Sequence, residues 1–487
     1  MLVPARLRTH SSSVTRNLAI QRAQALIDSG AFAAVLARRV RYATESEEPD
    51  AAAGALQAYL DAEMVPSLAV LGFALQLVDN PVDERLPLLI AQRIEAPGLP
   101  TVLMYAHGDV VRGHAAQWRS GLSPWELRIE GERWYGRGTA DNKGQHSINL
   151  AALEQVLAVR GGRLGFNLKL LVEMGEEAGS PGLREVCEQH RETLRADLFL
   201  ASDGPRLQAG RPTLFLGSRG AFNFELRLTC RERAFHSGNW GGLLANPAIV
   251  LANALASLVN ARGRIRVEAL RPTGIPAAVQ RALRDIEVGG GADDPAIDRD
   301  WGEPGLRPAE RVLGWNSLEV LAMTAGNPAQ PVGAIPGSAR MFCQLRFVVG
   351  TRLADIAPAL RSHLDAQGFG AVELHVGAQG EATRLDPDDP WVHWALESMQ
   401  RTTGQRPALL PNLGGSLPND IFANVLGLPT LWVPHSYPAC GQHAPNEHLL
   451  EPVAREALGL MAGLFWDLGD AGTTMRDRRA AAENTTA

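Results

Sequence analysis

Four short runs of consecutive apolar residues constrain the fold more than any other feature of this sequence. They are TVLMYA (101–106), FNLKLLV (166–172), DLFLA (197–201) and PTLWV (429–433). Strands that are buried on both faces of a parallel sheet have this continuous apolar character. Apolar residues at helical spacing over 147–160 separate the first two runs. The resulting β-α-β order predicts an α/β fold with a mostly parallel sheet covered by helices.

A different pattern occupies the middle of the chain. Residues 221–228 (AFNFELRL) and 341–348 (MFCQLRFV) alternate between apolar and polar, which is typical of strands with one solvated face. A helix is predicted at about 247–259, and a second, amphipathic helix carries Leu353, Ile356, Leu360 and Leu364 on one face. The pattern predicts a small α+β domain.

The two patterns together predict a domain that is split in sequence. An α/β domain is expected over 1–217 and 384–487, interrupted by an inserted α+β domain over 218–383. The Gly/Asp/Pro-rich stretch 289–305 predicts a long loop in the insert. The residues from about Asp470 onward predict a disordered tail.

Composition narrows the class of protein. The 487 residues carry a net charge of -6 without a basic block, which argues against nucleic acid as a partner. No run approaches the roughly 18 apolar residues of a membrane span, and the N-terminus lacks the apolar region of a secretory signal. The four cysteines show no CxxC spacing and are expected to be reduced thiols. A soluble cytoplasmic enzyme that binds neither nucleic acid nor membrane is the resulting prediction.

Potential metal ligands follow the apolar runs directly. Because ligands collect at the carboxyl ends of the strands of an open parallel sheet, these residues are expected to meet at one edge. They are His107 and Asp109 after the first run, Glu176 and Glu177 after the second, Asp203 after the third, and His435, His443 and His448 after the fourth, with Asp141 at the start of the helix over 147–160.

The mixture of imidazoles and carboxylates without cysteine suits zinc or a similar divalent ion at an open, catalytic site. Alone, Glu176 and Glu177 could be the acidic first turn of a helix, and Asp141 could be a helix N-cap. In combination, His107, Asp141, Glu177, Asp203 and His443 are too many for one tetrahedral zinc, and a bridging Asp141 would give each of two ions three ligands.

Two ions about 3.5–4 Å apart characterise hydrolases that activate one water and polarise a scissile carbonyl. Glu176, which is left over, could act as the general base. Asp109, two residues after His107, could hold the other ring nitrogen of that imidazole.

Five segments resemble motifs of the di-zinc metallopeptidase family that includes carnosinase, bacterial dipeptidases, carboxypeptidase G, aminoacylase and succinyl-diaminopimelate desuccinylase. They are YAHGDVV, WYGRGTADNKGQ, VEMGEEAGSPG, SDGP and GQHAPNEH. The resemblance implies that His107, Asp141 and Asp203 bind one ion. It also implies that Asp141, Glu177 and His443 bind the other, with Zn²⁺ expected and Co²⁺ or Mn²⁺ as alternatives. It further implies a cis bond between Asp141 and Asn142.

The insert resembles the lid or dimerisation domain of the same family, through GSRGAFNFELRL, AFHSGNWGG and NLGGSLPND. The resemblance implies a homodimer in which His236 stabilises the oxyanion, in some relatives across the dimer. It implies that Arg346 binds a substrate carboxylate, for which a guanidinium fork is suited. It also implies that the loop of Gly414, Gly415 and Ser416 helps to bind the C-terminal end of the substrate. Without the resemblance, His236 would be interpreted as a surface histidine and Arg346 as part of a solvated strand face.

Two departures bear on the substrate. Deacylating relatives usually have Glu at the position of Asp203, and carnosinase-like relatives tend to have an acidic residue at the position of Leu413. The leading interpretation is a dipeptidase or exopeptidase acting on small peptides, and an N-acyl-amino-acid deacylase is the alternative. A catalytically silent binding protein would have lost a ligand or the base, and all six positions are filled. The sequence contains no nucleophile elbow, GxGxxG after the first strand or Walker motif.

Overall fold

A computed structural model describes residues 5–289 and 295–486. The helices in these stretches are α1 (Ala5–Asp28), α2 (Ala31–Val40), α3 (Pro49–Tyr59), α4 (Val65–Val70), α5 (Lys143–Val159), α6 (Leu183–Gln189), α7 (Arg191–Leu194), α8 (Ser237–Trp240), α9 (Pro247–Leu258), α10 (Ala277–Ala282), α11 (Pro308–Leu313), α12 (Leu353–Ala366), α13 (Pro390–Thr403) and α14 (Glu451–Thr486).

The strands in the same stretches are β1 (Ala74–Val78), β2 (Leu88–Arg93), β3 (Thr101–His107), β4 (Arg128–Glu130), β5 (Arg133–Tyr135), β6 (Asn167–Glu173), β7 (Leu198–Ala201), β8 (Thr213–Phe215), β9 (Gly220–Thr229), β10 (Phe235–His236), β11 (Ser317–Ala325), β12 (Ala334–Ile335), β13 (Ser338–Phe347), β14 (Glu373–Gly380), β15 (Ala408–Leu410), β16 (Thr430–Trp432) and β17 (His448–Leu450).

The chain divides into two compact units. The first contains the chain up to Leu216, Leu385–Leu409 and the chain from Ile421 onward, and the second contains Gly217–Arg384 and Leu410–Asp420. The segment Leu410–Asp420 joins the second unit because the backbone of Leu413 hydrogen-bonds to Gly217 and Arg219. The sequence alone had placed this segment with the α/β domain.

The first unit is built on an eight-stranded sheet in the order β1-β2-β6-β3-β7-β16-β8-β15. The four strands β6, β3, β7 and β16 are parallel, and they are the four apolar runs of the sequence. Strands β1, β2 and β8 pair antiparallel at the flanks. The α/β prediction is therefore confirmed, and the antiparallel flanks make the sheet mixed.

Helices α1, α5, α13 and α14 pack against one another in the first unit. Every residue of β6 is buried, as expected of a strand covered on both faces. The predicted disordered tail is wrong, because α14 continues to Thr486. Met475 is buried, and Arg479 donates to Asp389 at 2.9 Å, so the polar tail is anchored by contacts that its composition does not show. Among the described helices, none has the length and apolarity that crossing a bilayer requires.

The second unit contains an antiparallel sheet in the order β11-β13-β9-β14. Alternate residues of β9 are buried from Phe222 to Leu228, as the sequence predicts, and the buried face packs with α9 and α12. Of the predicted loop over 289–305, residues 290–294 lie outside the described residues, and residues 295–305 contain no helix or strand.

Candidate metal centre

The ends of the parallel strands bring the predicted ligands of the first unit to one edge. His107 is the last residue of β3 and stands in register with Glu173, the last residue of β6. Glu176 and Glu177 follow β6 within one turn, and Asp203 follows the end of β7 by two residues. The sheet therefore positions these side chains through strand register, as the sequence predicts.

Two trios of ligand atoms share Asp141. In the first, His107 Nε2 lies 3.1 Å from Asp141 Oδ1 and 3.5 Å from Asp203 Oδ2. In the second, His443 Nε2 lies 3.1 Å from Asp141 Oδ2 and 3.0 Å from Glu177 Oε2. Within each trio the ligand atoms lie within 4.8 Å of one another. Each oxygen of the Asp141 carboxylate thus faces a different imidazole, which is the arrangement a bridging ligand needs.

Asp109 is fully buried and contacts both trios. His107 Nδ1 lies 3.1 Å from the Asp109 carbonyl oxygen and 3.4 Å from Asp109 Oδ1, which turns Nε2 toward the carboxylates. Asp109 Oδ2 accepts hydrogen bonds from Ser46 Oγ at 2.6 Å and from the Glu177 backbone N–H at 3.0 Å. The predicted contact between Asp109 and His107 is present, and the same carboxylate also fixes the start of the Glu177 loop.

Glu447 holds the backbone that carries Asp141, a feature that sequence reasoning missed. Its Oε1 accepts from the N–H groups of Ala140 at 2.9 Å and Asp141 at 3.0 Å. Its Oε2 accepts from Arg137 at 2.7 Å, and both side chains of this ion pair are about 1% exposed. The only signal in the sequence was its place in GQHAPNEH, four residues after His443. The peptide bond between Asp141 and Asn142 is cis, as the resemblance implies.

Burial and mutual interaction shift the pKa values of the clustered side chains. Burial raises the pKa of Glu176 well above its usual value and that of Glu177 to about 7. Burial also tends to raise the pKa of Asp141, but hydrogen bonds from His107 and His443 outweigh it and hold this pKa below its ordinary range. Hydrogen bonds to Asp141 and Glu177 raise the pKa of His443 to about 11. A cation bound among these carboxylates would favour their ionised form and so lower the raised pKa values.

The residues present fit divalent metal ions. Asp203 Oδ2 is buried without a hydrogen-bond partner and points to the same place as His107 Nε2. Each trio offers one imidazole nitrogen and two carboxylate oxygens, the donors that divalent ions such as zinc accept. Glu176 belongs to neither trio, although its Oε2 lies 4.0 Å from His107 Nε2. It therefore lies beside the first trio without belonging to either trio.

Two of the candidate histidines are used elsewhere. His435 Nε2 lies 2.9 Å from Ser202 Oγ and 3.0 Å from Asn149 Oδ1. His448 Nε2 lies 2.6 Å from the Tyr437 hydroxyl. Both histidines lie outside the two trios, and their contacts are those of structural residues.

The remaining predicted residues lie in the second unit. Arg346 donates from Nε to Gln344 at 2.8 Å and from a terminal nitrogen to Ser416 Oγ at 2.7 Å. The carbonyl oxygen of Gly414 accepts from Arg219 at 2.9 Å, and Gly415 is exposed. The structure thus brings Arg346 together with the loop of Gly414, Gly415 and Ser416.

His236, at the end of β10, is exposed. Its Nδ1 accepts from the Gly238 N–H at 3.1 Å, which leaves Nε2 without a hydrogen bond to any described residue. In the described part of the second unit no hydrogen bond joins His236 to Arg346 or to the glycine loop.

Comparisons with known proteins agree on one family. Residues 103–467 match the model of peptidase family M20/M25/M40. The chain is 31% identical over 333 residues to the cysteinylglycine-S-conjugate dipeptidase of Corynebacterium striatum, covering 66% of this chain and 70% of that protein.

Among solved structures, human carnosine dipeptidase 1 aligns with a TM-score of 0.73 at 21% identity, covering 93% of this chain and 99% of that one. An M20 family metallo-carboxypeptidase from Sulfolobus solfataricus aligns with a TM-score of 0.74 at 23% identity, covering 89% and 98%. These two likenesses establish the fold.

Proposed function

Because the chain belongs to peptidase family M20/M25/M40, it is a metal-dependent hydrolase of dipeptides or short peptides, and we propose that its substrates are dipeptides with a free amino terminus. The observation that carries metal-dependent hydrolysis is the pair of ligand trios that share Asp141, and the choice of dipeptides is supported by the names of relatives. Several relatives are named as dipeptidases, among them the enzyme of Corynebacterium striatum and a Cys-Gly metallodipeptidase of Schizosaccharomyces pombe.

We propose two Zn²⁺ ions as the working metals. His107, Asp141 and Asp203 would hold one ion, and Asp141, Glu177 and His443 would hold the other. When bound, such ions act as Lewis acids and lower the pKa of water. Co²⁺ and Mn²⁺ accept the same donor atoms and are the alternatives.

In the proposed reaction Glu176 is the general base. It takes one proton from the attacking water as the new C–O bond forms at the scissile carbonyl carbon. It then gives this proton to the amine nitrogen as the C–N bond breaks, which yields a carboxylic acid and an amine; transfer of the acid's proton to the amine gives the carboxylate and ammonium products. Asp109 acts as a positioning residue, because it contacts both His107 and the backbone of Glu177.

The second unit supplies substrate binding in this proposal. Arg346 and the loop of Gly414, Gly415 and Ser416 would hold the C-terminal carboxylate, for which a guanidinium fork is suited. His236, whose Nε2 is free of described partners, would stabilise the oxyanion. We propose that the second unit is a lid and dimerisation domain, that the enzyme is a homodimer, and that His236 acts on the partner's site.

The alternative function is deacylation of N-acyl amino acids, which uses the same hydrolytic groups. The two functions differ in whether a free amino group stands on the N-terminal side of the scissile bond. Aspartate at position 203, where deacylating relatives usually have Glu, favours the dipeptide.

The test is hydrolysis of matched amide pairs by zinc-loaded protein. Each pair contains a free dipeptide and an N-acetyl amino acid with the same C-terminal residue, and Glu176→Gln serves as the inactive control. We expect the free dipeptides to be hydrolysed with the higher kcat/KM. A preference for the acetylated compounds would establish the deacylase. If the protein binds two metal ions and hydrolyses neither set, the proposed substrate class is wrong.

A further inference from the structure

The second unit contains a cavity of about 510 Å³ that includes Arg346 in its wall. One side of the cavity is formed by the sheet, through Glu319 on β11 and Arg346 on β13. Another part of the lining comes from the segment between α9 and β11, through Trp301, Val312 on α11 and Trp315. Every residue that lines the cavity lies within the second unit. The volume is within the range of small-molecule sites, about 300–1,000 Å³.

One end of this cavity is positively charged. Arg219 lines it beside Arg346, and the terminal nitrogens of Arg219 have no hydrogen-bond partner among the described residues. Burial, followed by the charge of Arg346, lowers the pKa of Arg219 to about 10. Burial raises the pKa of Glu319, the acidic group whose charge acts on Arg219. Two adjacent guanidiniums with spare N–H donors are completed by an anion such as a carboxylate.

The other end carries aromatic and aliphatic side chains together with three charged ones, those of Asp298, Glu303 and Arg311. Trp301 and Trp315 contribute indole rings, and Val312 contributes an aliphatic side chain. An apolar wall of this kind recognises apolar or aromatic groups, because their burial removes apolar surface from water at both partners.

Two details show that the apolar wall is built into the fold. Gly263 has a φ of 73°, and a Cβ there would lie 2.5 Å from the indole ring of Trp301, so only glycine leaves room for this ring. Asn316, directly after Trp315, donates to the Leu270 carbonyl at 2.9 Å and accepts from the Val348 N–H at 2.9 Å. The backbone beside Trp315 is thereby fixed to two neighbouring segments.

We propose that this cavity receives the C-terminal side chain of the dipeptide and selects large apolar and aromatic residues, with Trp315 as a specificity-determining residue. The inference rests on the proposed function, in which Arg346 binds the substrate carboxylate. The carboxylate and the side chain of a C-terminal residue are attached to the same Cα atom. When Arg346 binds the carboxylate, the side chain therefore lies next to this cavity. The charged end holds the carboxylate and the indole end holds the side chain.

The experiment compares kcat/KM for a series of dipeptides with alanine at the N-terminus and Gly, Ala, Leu, Phe, Trp or Glu at the C-terminus. We expect kcat/KM of the wild type to rise on the order of 10- to 100-fold from Ala-Gly to Ala-Phe and Ala-Trp, as added apolar contacts of this size allow. Trp315→Ala should lower kcat/KM roughly tenfold or more for Ala-Phe and Ala-Trp, and leave Ala-Gly within about twofold.

Two further variants keep the result interpretable. Trp301→Ala removes a side chain that is already 49% exposed, and it should reproduce the selective loss without unfolding the unit. Leu321→Ala is the matched control, because Leu321 is 60% exposed on β11 and does not line the cavity. Melting temperature and metal content are measured for each variant.

The outcomes separate this inference from the proposed function. Uniform rates across the series, an equal loss for all dipeptides in Trp315→Ala, or a preference for Ala-Glu would overturn the apolar cavity and leave the dipeptidase intact. If the zinc-loaded wild type hydrolyses none of the dipeptides, the proposed function fails and the cavity assignment fails with it.

Discussion

Replacing Glu447 with Gln tests whether the backbone beneath Asp141 is held by a buried charge. The substitution keeps the side-chain volume and an oxygen that can accept from the N–H groups of Ala140 and Asp141. It removes the negative charge that faces Arg137 at 2.7 Å. The Arg137 guanidinium then stays buried without a counter-ion, and an amide N–H₂ group faces its donors.

The expected cost follows from the burial of this pair. Breaking a buried ion pair by removal of one partner typically costs about 3–5 kcal/mol, because a buried charge is left uncompensated. We therefore expect the free energy of unfolding of Glu447→Gln to fall by about 3–5 kcal/mol. Displacement of the Asp141 backbone should also weaken metal binding by roughly 10- to 100-fold, as loss of a group that orients a metal ligand does.

The assay combines urea unfolding of the metal-free protein with metal titration against a competing chelator. Arg137→Met and the double variant complete a cycle, in which we expect a coupling of about 1–3 kcal/mol because the double variant buries no unpaired charge. Glu48→Gln is the matched control, since Glu48 pairs with Arg112 at the surface, where an ion pair contributes about 0–1 kcal/mol. An unfolding midpoint and metal affinity equal to those of the wild type would refute the reasoning.

Three other predictions use different parts of the molecule. Dialysis against a chelator should abolish hydrolysis and lower the melting temperature, because the buried carboxylates lose their counter-ions. Added Zn²⁺ should restore both. Full activity after verified metal removal would contradict the assignment of the two trios as metal sites. Burial holds the pKa of His435 well below 6.5, so as the pH falls the unfolded chain binds a proton at this residue before the folded chain does. The contribution of His435 to the free energy of unfolding is therefore fully present above pH 6.5 and is lost as the pH falls below it. His435→Asn should flatten this slope by up to about 1.4 kcal/mol per pH unit in urea unfolding of the metal-free protein, and an unchanged slope would show that His435 titrates normally. An equimolar, re-equilibrated mixture of His236→Ala and Glu176→Gln subunits should regain up to about a quarter of wild-type activity if His236 acts in trans, because half of the dimers are mixed and each has one complete site. Failure to regain any activity would place His236 in its own subunit's site.

The sequence was informative where a local pattern determines a global position. The four apolar runs predicted the parallel strands of the first unit, since a strand buried on both faces must be apolar throughout. The register of these strands then brought His107, Glu177 and Asp203 to one edge. The alternation in β9 predicted its buried face for the same kind of reason.

The sequence was uninformative where the deciding contact joins distant segments. The antiparallel flanks of the sheet depend on which strands become neighbours, and a strand's own residues do not encode its partner. The prediction of a disordered tail was wrong because it relied on polar composition alone. Composition does not show that Met475 is buried in the core or that Arg479 forms an ion pair with Asp389. The attachment of Leu410–Asp420 to the second unit likewise depends on hydrogen bonds across nearly 200 residues of chain.

The same reasoning explains why metal ligands are easier to find than the residues that hold them. A candidate ligand must be one of a few residue types, and His107, Glu177 and Asp203 stand at the ends of parallel strands, so both their chemistry and their place are restricted. A supporting group needs only to present an acceptor to a backbone N–H, and Glu447 does so for Asp141 from 306 residues away. Apart from its place in GQHAPNEH, nothing in the neighbouring sequence distinguishes it from a surface glutamate. Its contribution to the site is therefore measured through the residue that it positions, which is why metal affinity is needed beside the free energy of unfolding for Glu447→Gln.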